Sequence, residues 1–302
     1  IESGLYQLMT ERFGVKKDEP GDVYWDLFRD NNINRLSGNL ETIWVIQIEY
    51  QTEGGAETAW NGKPVATDWQ YRWSPRYWAL KDPDGNSGMM LVDSLGRGVA
   101  QCRPNNYTLY DIWKDDWNDM RNSKYNVRRD WYYNNPESTY FGQKVDQFYG
   151  IDTMLMYPMF NKAHGESLLG ADYGGSFKDW PVYRLAETYL LRAEAYYLND
   201  EPQKAADDIN VIRNRANATP VLAAQVDLDY ILDERARELL MEEPRRRTLV
   251  RMGKLVERVR LYNIRQDTRE SIKEHHRWWP IPQSAIDANP GAILEQNEGY
   301  AQ

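Results

Sequence analysis

Apolar residues recur every three or four positions in four stretches of the second half of the chain, and this spacing predicts helices. The first stripe is Leu185, Tyr189, Ala193 and Tyr196. It stops at Asn199, Asp200, Glu201 and Pro202, where Asp can cap a helix and Pro fits a first turn. The second runs through Ala205, Ile209, Ile212 and Ala216. Two antiparallel helices with a short turn and small alanines at their crossing predict one tetratricopeptide-type hairpin. A third stripe (Leu228, Ile231, Leu232, Ala236, Leu239, Leu240) and a fourth (Leu249, Met252, Leu255, Val256, Val259) predict a second hairpin, with Pro244 at their boundary.

The first half reads differently. From Gly38 to Gly175 the chain is rich in Gly, Asn, Asp, Pro and aromatics, and its apolar runs are short and strand-like, such as residues 43–48. The expectation is a mostly α fold of tetratricopeptide-like hairpins carrying a large irregular, aromatic-rich loop region. Residues 1–176 form the irregular, ligand-presenting part and residues 177–302 the helical part of one continuous domain.

Composition narrows the function classes. The 302 residues hold 12 Trp and 21 Tyr but only 6 Phe, so the aromatics are mostly those with a polar edge, suited to half-wet binding surfaces. A net charge of −9 with mixed signs leaves no strip to neutralise a phosphate backbone, which argues against a nucleic-acid partner. The basic group Arg245, Arg246, Arg247, Arg251 and Lys254 reads as a solvated or carboxylate-paired helical face. One cysteine, Cys102, excludes an internal disulfide and a thiolate zinc site. No apolar run reaches the eighteen or so residues that a membrane span needs, and residues 1–4 do not open a signal peptide. A secreted protein of this sequence would therefore have lost its natural start.

Sugar recognition needs flat apolar faces for C–H groups and planar hydrogen-bonding side chains for hydroxyls. Residues 60–78 have this mixture, and Trp60, Asn61, Trp69, Tyr71, Arg72 and Trp73 are the candidate glycan contacts. If the segment is extended, Trp69, Tyr71 and Trp73 share one face. Tyr107, Tyr110, Trp113 and Trp117 have helical spacing and read as a buried stripe, whereas Trp131, Tyr132 and Tyr133 fit either role. Asp82, Asp84, Asn86 and Asp93 match a calcium loop imperfectly, since Ser87 stands where such a loop needs Gly. A turn held by Asx hydrogen bonds is the better reading, and no metal or other cofactor is expected. The three histidines, His164, His275 and His276, show no metalloprotease spacing, and no nucleophile elbow or phosphate loop is present. Adjacent carboxylates such as Asp115 and Asp116 do not face each other across a sugar, so an enzyme is not expected.

Several segments, in order, resemble the SusD/RagB family of nutrient-binding lipoproteins. They are WNDMRNS (117–123), YGGSFKDWPVYR (173–184), YRLAETYLLRAEAYYL (183–198), AADDINVIRNRAN (205–217), ILDERARELLMEE (231–243), RRRTLVRMGKL (245–255), WWPIPQSAIDANP (278–290) and LEQNEGY (294–300). Two positions depart from the family pattern, Glu243-Pro244 before the arginines and Thr248 before Leu249, and both lie in the scaffold. The resemblance covers the C-terminal part of the family. It implies non-catalytic, cell-surface capture of oligosaccharide and delivery to a SusC-like TonB-dependent transporter of the outer membrane, with an N-terminal lipid anchor that this sequence lacks. A peptide-capturing member of the same family and a tetratricopeptide-type protein-binding scaffold are the alternatives.

Overall fold

The computed structural model describes residues 1–53, 67–146 and 153–300, and the backbone of two short strands at 59–60 and 63–64. Asn61 lies outside the described residues, as does the side chain of Trp60. The elements in order are α1 (Val23–Asp26), β1 (Thr42–Ile46), β2 (Ala59–Trp60), β3 (Lys63–Pro64), α2 (Trp69–Trp73), α3 (Asn106–Leu109), β4 (Val127–Arg128), β5 (Met159–Phe160) and β6 (Trp180–Arg184). Five longer helices follow: α4 (Leu185–Leu198), α5 (Pro202–Arg215), α6 (Leu228–Leu239), α7 (Arg245–Arg251) and α8 (Leu255–Tyr262). The fold is mostly helical, as expected. None of the described helices is long and apolar enough to cross a membrane.

The chain forms two compact units, one of residues 1–104 and 108–242, the other of residues 105–107 and 243–302. The change of texture near Phe177 is thus not where the compact units divide.

In the first unit α4 and α5 form the predicted antiparallel hairpin. Ala205, Ile209, Ile212 and Ala216 are all fully buried, and small alanines let the helices approach closely. On α4 the buried face is Leu185, Ala186, Leu190 and Ala193, rotated slightly from the predicted stripe, so that Tyr189 and Tyr196 sit half-buried at its edge. α6 is capped by Asp227, whose carboxylate accepts from the Tyr230 amide at 2.7 Å, and it packs against α4. The strand-like run at 43–48 supplies β1, paired antiparallel with β6, which leads directly into α4. The irregular region has its own core of Tyr77, Met89, Leu95, Trp131, Tyr133, Val145, Met156 and Met159.

Helix and irregular region are joined by buried ion pairs. Glu238, in the last turn of α6, accepts from Arg215 at 2.5 Å, Arg184 at 2.9 Å and Arg121 at 3.2 Å. Arg184 also bonds Glu41 and Glu242, each at 2.5 Å, and Arg215 bonds Glu41 at 3.1 Å. Glu234, one turn earlier on α6, takes Arg121 at 2.7 Å, Arg213 at 2.8 Å and Arg237 at 2.9 Å. The Glu238 backbone carbonyl has no helical donor left and accepts instead from Tyr24, Lys162 and Arg184. Cations at this end also suit the helix dipole.

The stripe expected as one fourth helix is split. α7 and α8 are separated by Gly253, whose φ of 70° lies in the left-handed region that ends a helix, and both belong to the second unit, whereas α6 belongs to the first. Here the basic group is engaged: Arg245 pairs with Glu243 at 2.9 Å, and Arg246 bonds the His276 carbonyl and lies over the Trp279 ring at 4.3 Å. Thr248, one of the departures from the family pattern, donates its hydroxyl to Glu243 at 3.3 Å. The tail folds back within this unit, with Gln296 and Ile281 exchanging two hydrogen bonds and Tyr300 donating to the Trp278 carbonyl.

Removing one partner of a buried ion pair strands the others, at a cost of about 3 to 5 kcal/mol. Glu238→Ala should therefore lower unfolding free energy by about that amount in a urea titration, while the exposed-pair control Asp267→Ala should leave the urea midpoint essentially unchanged. Burial alone would raise the pKa of Glu234, but Arg121, Arg237 and Arg213 outweigh it and hold the carboxyl down to about 2, from 4.5. A depressed carboxyl stabilises the fold above its unfolded pKa and loses that contribution as pH falls through the folded one. Thermal melts should show Tm dropping between about pH 4.5 and pH 2, and Glu234→Gln should make that drop shallower.

Candidate functional site

The tryptophan-rich segment is anchored at Thr67, which exchanges backbone hydrogen bonds with Ser176 at 3.0 and 2.9 Å. The chain then turns into α2 rather than running extended, and the expected sharing of one face by Trp69, Tyr71 and Trp73 is corrected. Helical spacing keeps Trp69 and Trp73 together, four residues apart, and sends Tyr71 elsewhere. Tyr71 packs on Gly174, where a Cβ would come within 2.4 Å of its ring, so glycine is required by the close approach. Trp69 stacks on Trp180 of β6 with centroids 4.3 Å apart and planes within 5°, and on Trp73 at 6.5 Å. All three indoles are half-buried. Arg72 is exposed, paired with Asp68 and donating to Gln101 at 2.7 Å.

A second aromatic site is a groove of about 530 Å³ in the first unit. Its walls come from four segments: Trp25 on α1, Trp117 with Asn122, Lys124 and Tyr125 on the following loop, Val127 to Asp130 with Tyr132, and Asn161. One carboxylate organises two of them. Asp22 caps α1 by accepting from the Trp25 amide at 2.8 Å, and it also accepts from Ser123 at 2.6 Å and Asn126 at 3.0 Å. Trp25 and Tyr125 consequently stack at 5.7 Å with planes 16° apart. Asn161 donates to the Tyr125 carbonyl at 2.6 Å and Asn122 to the Trp117 carbonyl at 2.8 Å.

Trp117 is 52% exposed, so the buried stripe expected at 107–117 is corrected there. Tyr110, at φ −136° and ψ −50°, breaks the helix before Trp113, and the periodicity that put Trp113 in the core does not continue. Trp113 is buried and bonds the Thr108 carbonyl at 2.9 Å. Trp131 and Tyr133 are buried while Tyr132 between them is 51% exposed, so the three aromatics that fit either role divide by the alternation of an extended chain. The polar neighbours of Trp117 (Asp115, Asp116, Asn118, Asp119) were the corresponding signal there.

Three cations reach this groove. Arg129 lies over the Trp117 ring at 4.9 Å and donates to the Leu109 carbonyl at 2.7 Å, and Lys124 lies over Tyr125 at 5.2 Å. Arg128 lies over Trp131 at 5.7 Å, and its Nε is buried without a hydrogen-bond partner among the described residues. Burial lowers the pKa of both arginines, each without a carboxylate bonded to it to offset the cost. The groove's one acid, Asp130, is paired with Lys144 at 2.7 Å.

Other candidates have structural partners. Asp82 accepts from the amides of Asp84 and Asn86 and from Ser138, which lowers its pKa chiefly through the serine bond and gives the loop of Asp82, Asp84, Asn86 and Asp93 the hydrogen bonds of an Asx turn at its start. Among the described residues no three His, Cys, Asp or Glu side chains are placed to hold a metal ion. Asp116 accepts from Arg213 at 2.9 Å and the Thr219 amide at 2.6 Å. Burial, then Lys178, lowers the His164 pKa to about 4 and keeps the ring neutral, with Nε2 3.1 Å from the Ser94 carbonyl oxygen.

Comparison with known proteins places this architecture. The SusD family model matches residues 41–300. The starch-binding protein SusD of Bacteroides thetaiotaomicron is 38% identical over 124 residues, which is 40% of this chain and 22% of that protein. The SusD-like protein P25 of Formosa agariphila is 32% identical over 166 residues, 52% of this chain and 31% of that protein. The solved surface glycan-binding protein A from Bacteroides thetaiotaomicron, in complex with laminarihexaose, superposes with a TM-score of 0.61 at 22% identity, over 98% of this chain and 56% of that one. The chain thus spans under a third of these curated relatives and a little over half of that structure, and the structural likeness is one of fold. With the family model covering nearly all of the helical scaffold and the irregular region it carries, the chain belongs to the SusD family.

Proposed function

We propose that the protein captures oligosaccharide at the outer-membrane surface, without cleaving it, and passes it to a SusC-like TonB-dependent transporter, held to the membrane by an N-terminal lipid anchor. Family membership supplies the context, since one relative is named for binding starch and a protein of similar fold was solved with laminarihexaose. The observation that carries the reading is the half-buried stack of Trp73, Trp69 and Trp180, three indoles from two elements, with Trp69 nearly parallel to Trp180 and tilted by 27° from Trp73. Such rings offer flat faces for sugar C–H groups at little cost in side-chain entropy. Trp69 and Trp73 are the principal contacts, flanked by Tyr71 and Arg72, with Trp60 and Asn61 of the same segment completing the proposed set. Capture without chemistry is consistent with the acidic groups nearby being engaged in ion pairs and turns.

Isothermal titration with laminari- and malto-oligosaccharides tests this. Binding of at least one is expected, and Trp69→Ala or Trp73→Ala should weaken it by roughly tenfold or more, the equivalent of about 1.4 kcal/mol. Absence of saccharide binding, or unchanged affinity in both variants, sinks the proposal, and chromatographic detection of shortened product would replace it with an enzyme.

A further inference from the structure

The groove bounded by Trp25, Trp117, Tyr125 and Tyr132 differs from the Trp69 stack in its charge. Three cations line it, and its one carboxylate, Asp130, is tied to Lys144. The chain's net charge is −9, and the fully buried Arg121, Arg184 and Arg215 each hold two or more carboxylate oxygens. Arg128 and Arg129 have no carboxylate bonded to them. The Nε of Arg128 is buried without a hydrogen-bond partner among the described residues. A half-buried guanidinium with no carboxylate beside it carries a desolvation cost that an incoming anion would offset. Arg129 beside it is fixed by the Leu109 and Asn122 carbonyls, so its charge is presented in a set place.

We propose that this groove is a binding site for acidic oligosaccharide, with the sugar faces against Trp117 and Tyr132 and an anionic substituent, a uronate carboxylate or a sulfate ester, held by Arg128 with Arg129 and Lys124 alongside. The ring faces recognise a saccharide and the fork-shaped guanidinium recognises a planar or tetrahedral oxyanion, a pairing that neither group supplies alone. Asn122 and Asn161 line the same groove, their amides fixed by backbone carbonyls, and hold the loop that carries Trp117 and Tyr125. The ligand class rests on the carbohydrate reading above, but the site is separate from the Trp69 stack and is tested separately.

The test is titration calorimetry of the 302-residue chain with an oligogalacturonate, a sulfated galactan oligosaccharide, neutral laminarihexaose and a hexaglutamate peptide. At least one acidic saccharide should bind, with affinity falling as NaCl is raised. Arg128→Met, which keeps the packing on Trp131, and Trp117→Ala, an exposed position, should each weaken that binding at least tenfold and leave laminarihexaose binding unchanged. Whichever acidic saccharide binds identifies carboxylate or sulfate as the recognised group. If laminarihexaose binds and neither acidic saccharide does, the groove proposal is overturned and the capture function stands. If no saccharide of this set binds, the groove proposal falls, and the malto-oligosaccharide titration decides the capture function. Acidic binding indifferent to Arg128→Met and Trp117→Ala overturns the site, and hexaglutamate binding in place of saccharide overturns the ligand class.

Discussion

Glu238 sits where the helical layer meets the irregular region, with three guanidinium groups around its carboxylate and three further donors on its backbone carbonyl. A buried charge with no partner costs more than most domains can spare, so the positions of Arg121, Arg184 and Arg215 are mutually determined. Each of those arginines belongs to a different segment: the loop before β4, the end of β6 and the end of α5. The lattice therefore does for this fold what a continuous sheet does elsewhere. It fixes the register of long, loop-like segments that have few ladder hydrogen bonds of their own. Burial of apolar groups would hold the same segments together, but without direction, whereas bidentate guanidinium contacts specify orientation as well as distance.

The helices were legible because a 3.6-residue period repeats over fourteen residues, as in α4 and α5, and few alternative arrangements bury Ala205, Ile209, Ile212 and Ala216 together. The lattice was not, since its partners are far apart in sequence. Glu41 and Arg184 are 143 positions apart, and no local pattern links them. Trp69, Tyr71 and Trp73 show a different limit. Within five residues, alternation and helical spacing both fit, and the tie is broken by tertiary contacts such as Tyr71 on Gly174. At 107–117 the spacing was helical but the backbone at Tyr110 was not, so a real period led to a wrong conclusion about Trp117. The familial segment WNDMRNS was recognisable as a motif, but that its tryptophan lines a groove depends on α1, contributed from about a hundred residues upstream.

The two aromatic sites express two uses of the same residues. Around Trp69 the rings pack on one another and the nearby arginine is already bonded to Asp68 and Gln101, which suits a ligand whose polarity is spread over hydroxyls. In the groove Trp25 stacks on Tyr125, but cations lie against the rings, Arg129 over Trp117 and Lys124 over Tyr125. A surface-capture protein with both could engage one long glycan at two chemically different stretches, and avidity from the linkage would then exceed either affinity alone.

Asp22 has a consequence for how the groove responds to a ligand. Because one carboxylate caps α1 and also holds Ser123 and Asn126, the Trp25 wall and the Tyr125 wall cannot shift independently of each other. Opening the groove by moving either wall would unmake a helix cap as well as two loop bonds. The groove is therefore a mould set during folding rather than a hand that closes, so selectivity falls on ligands that already have the matching curvature.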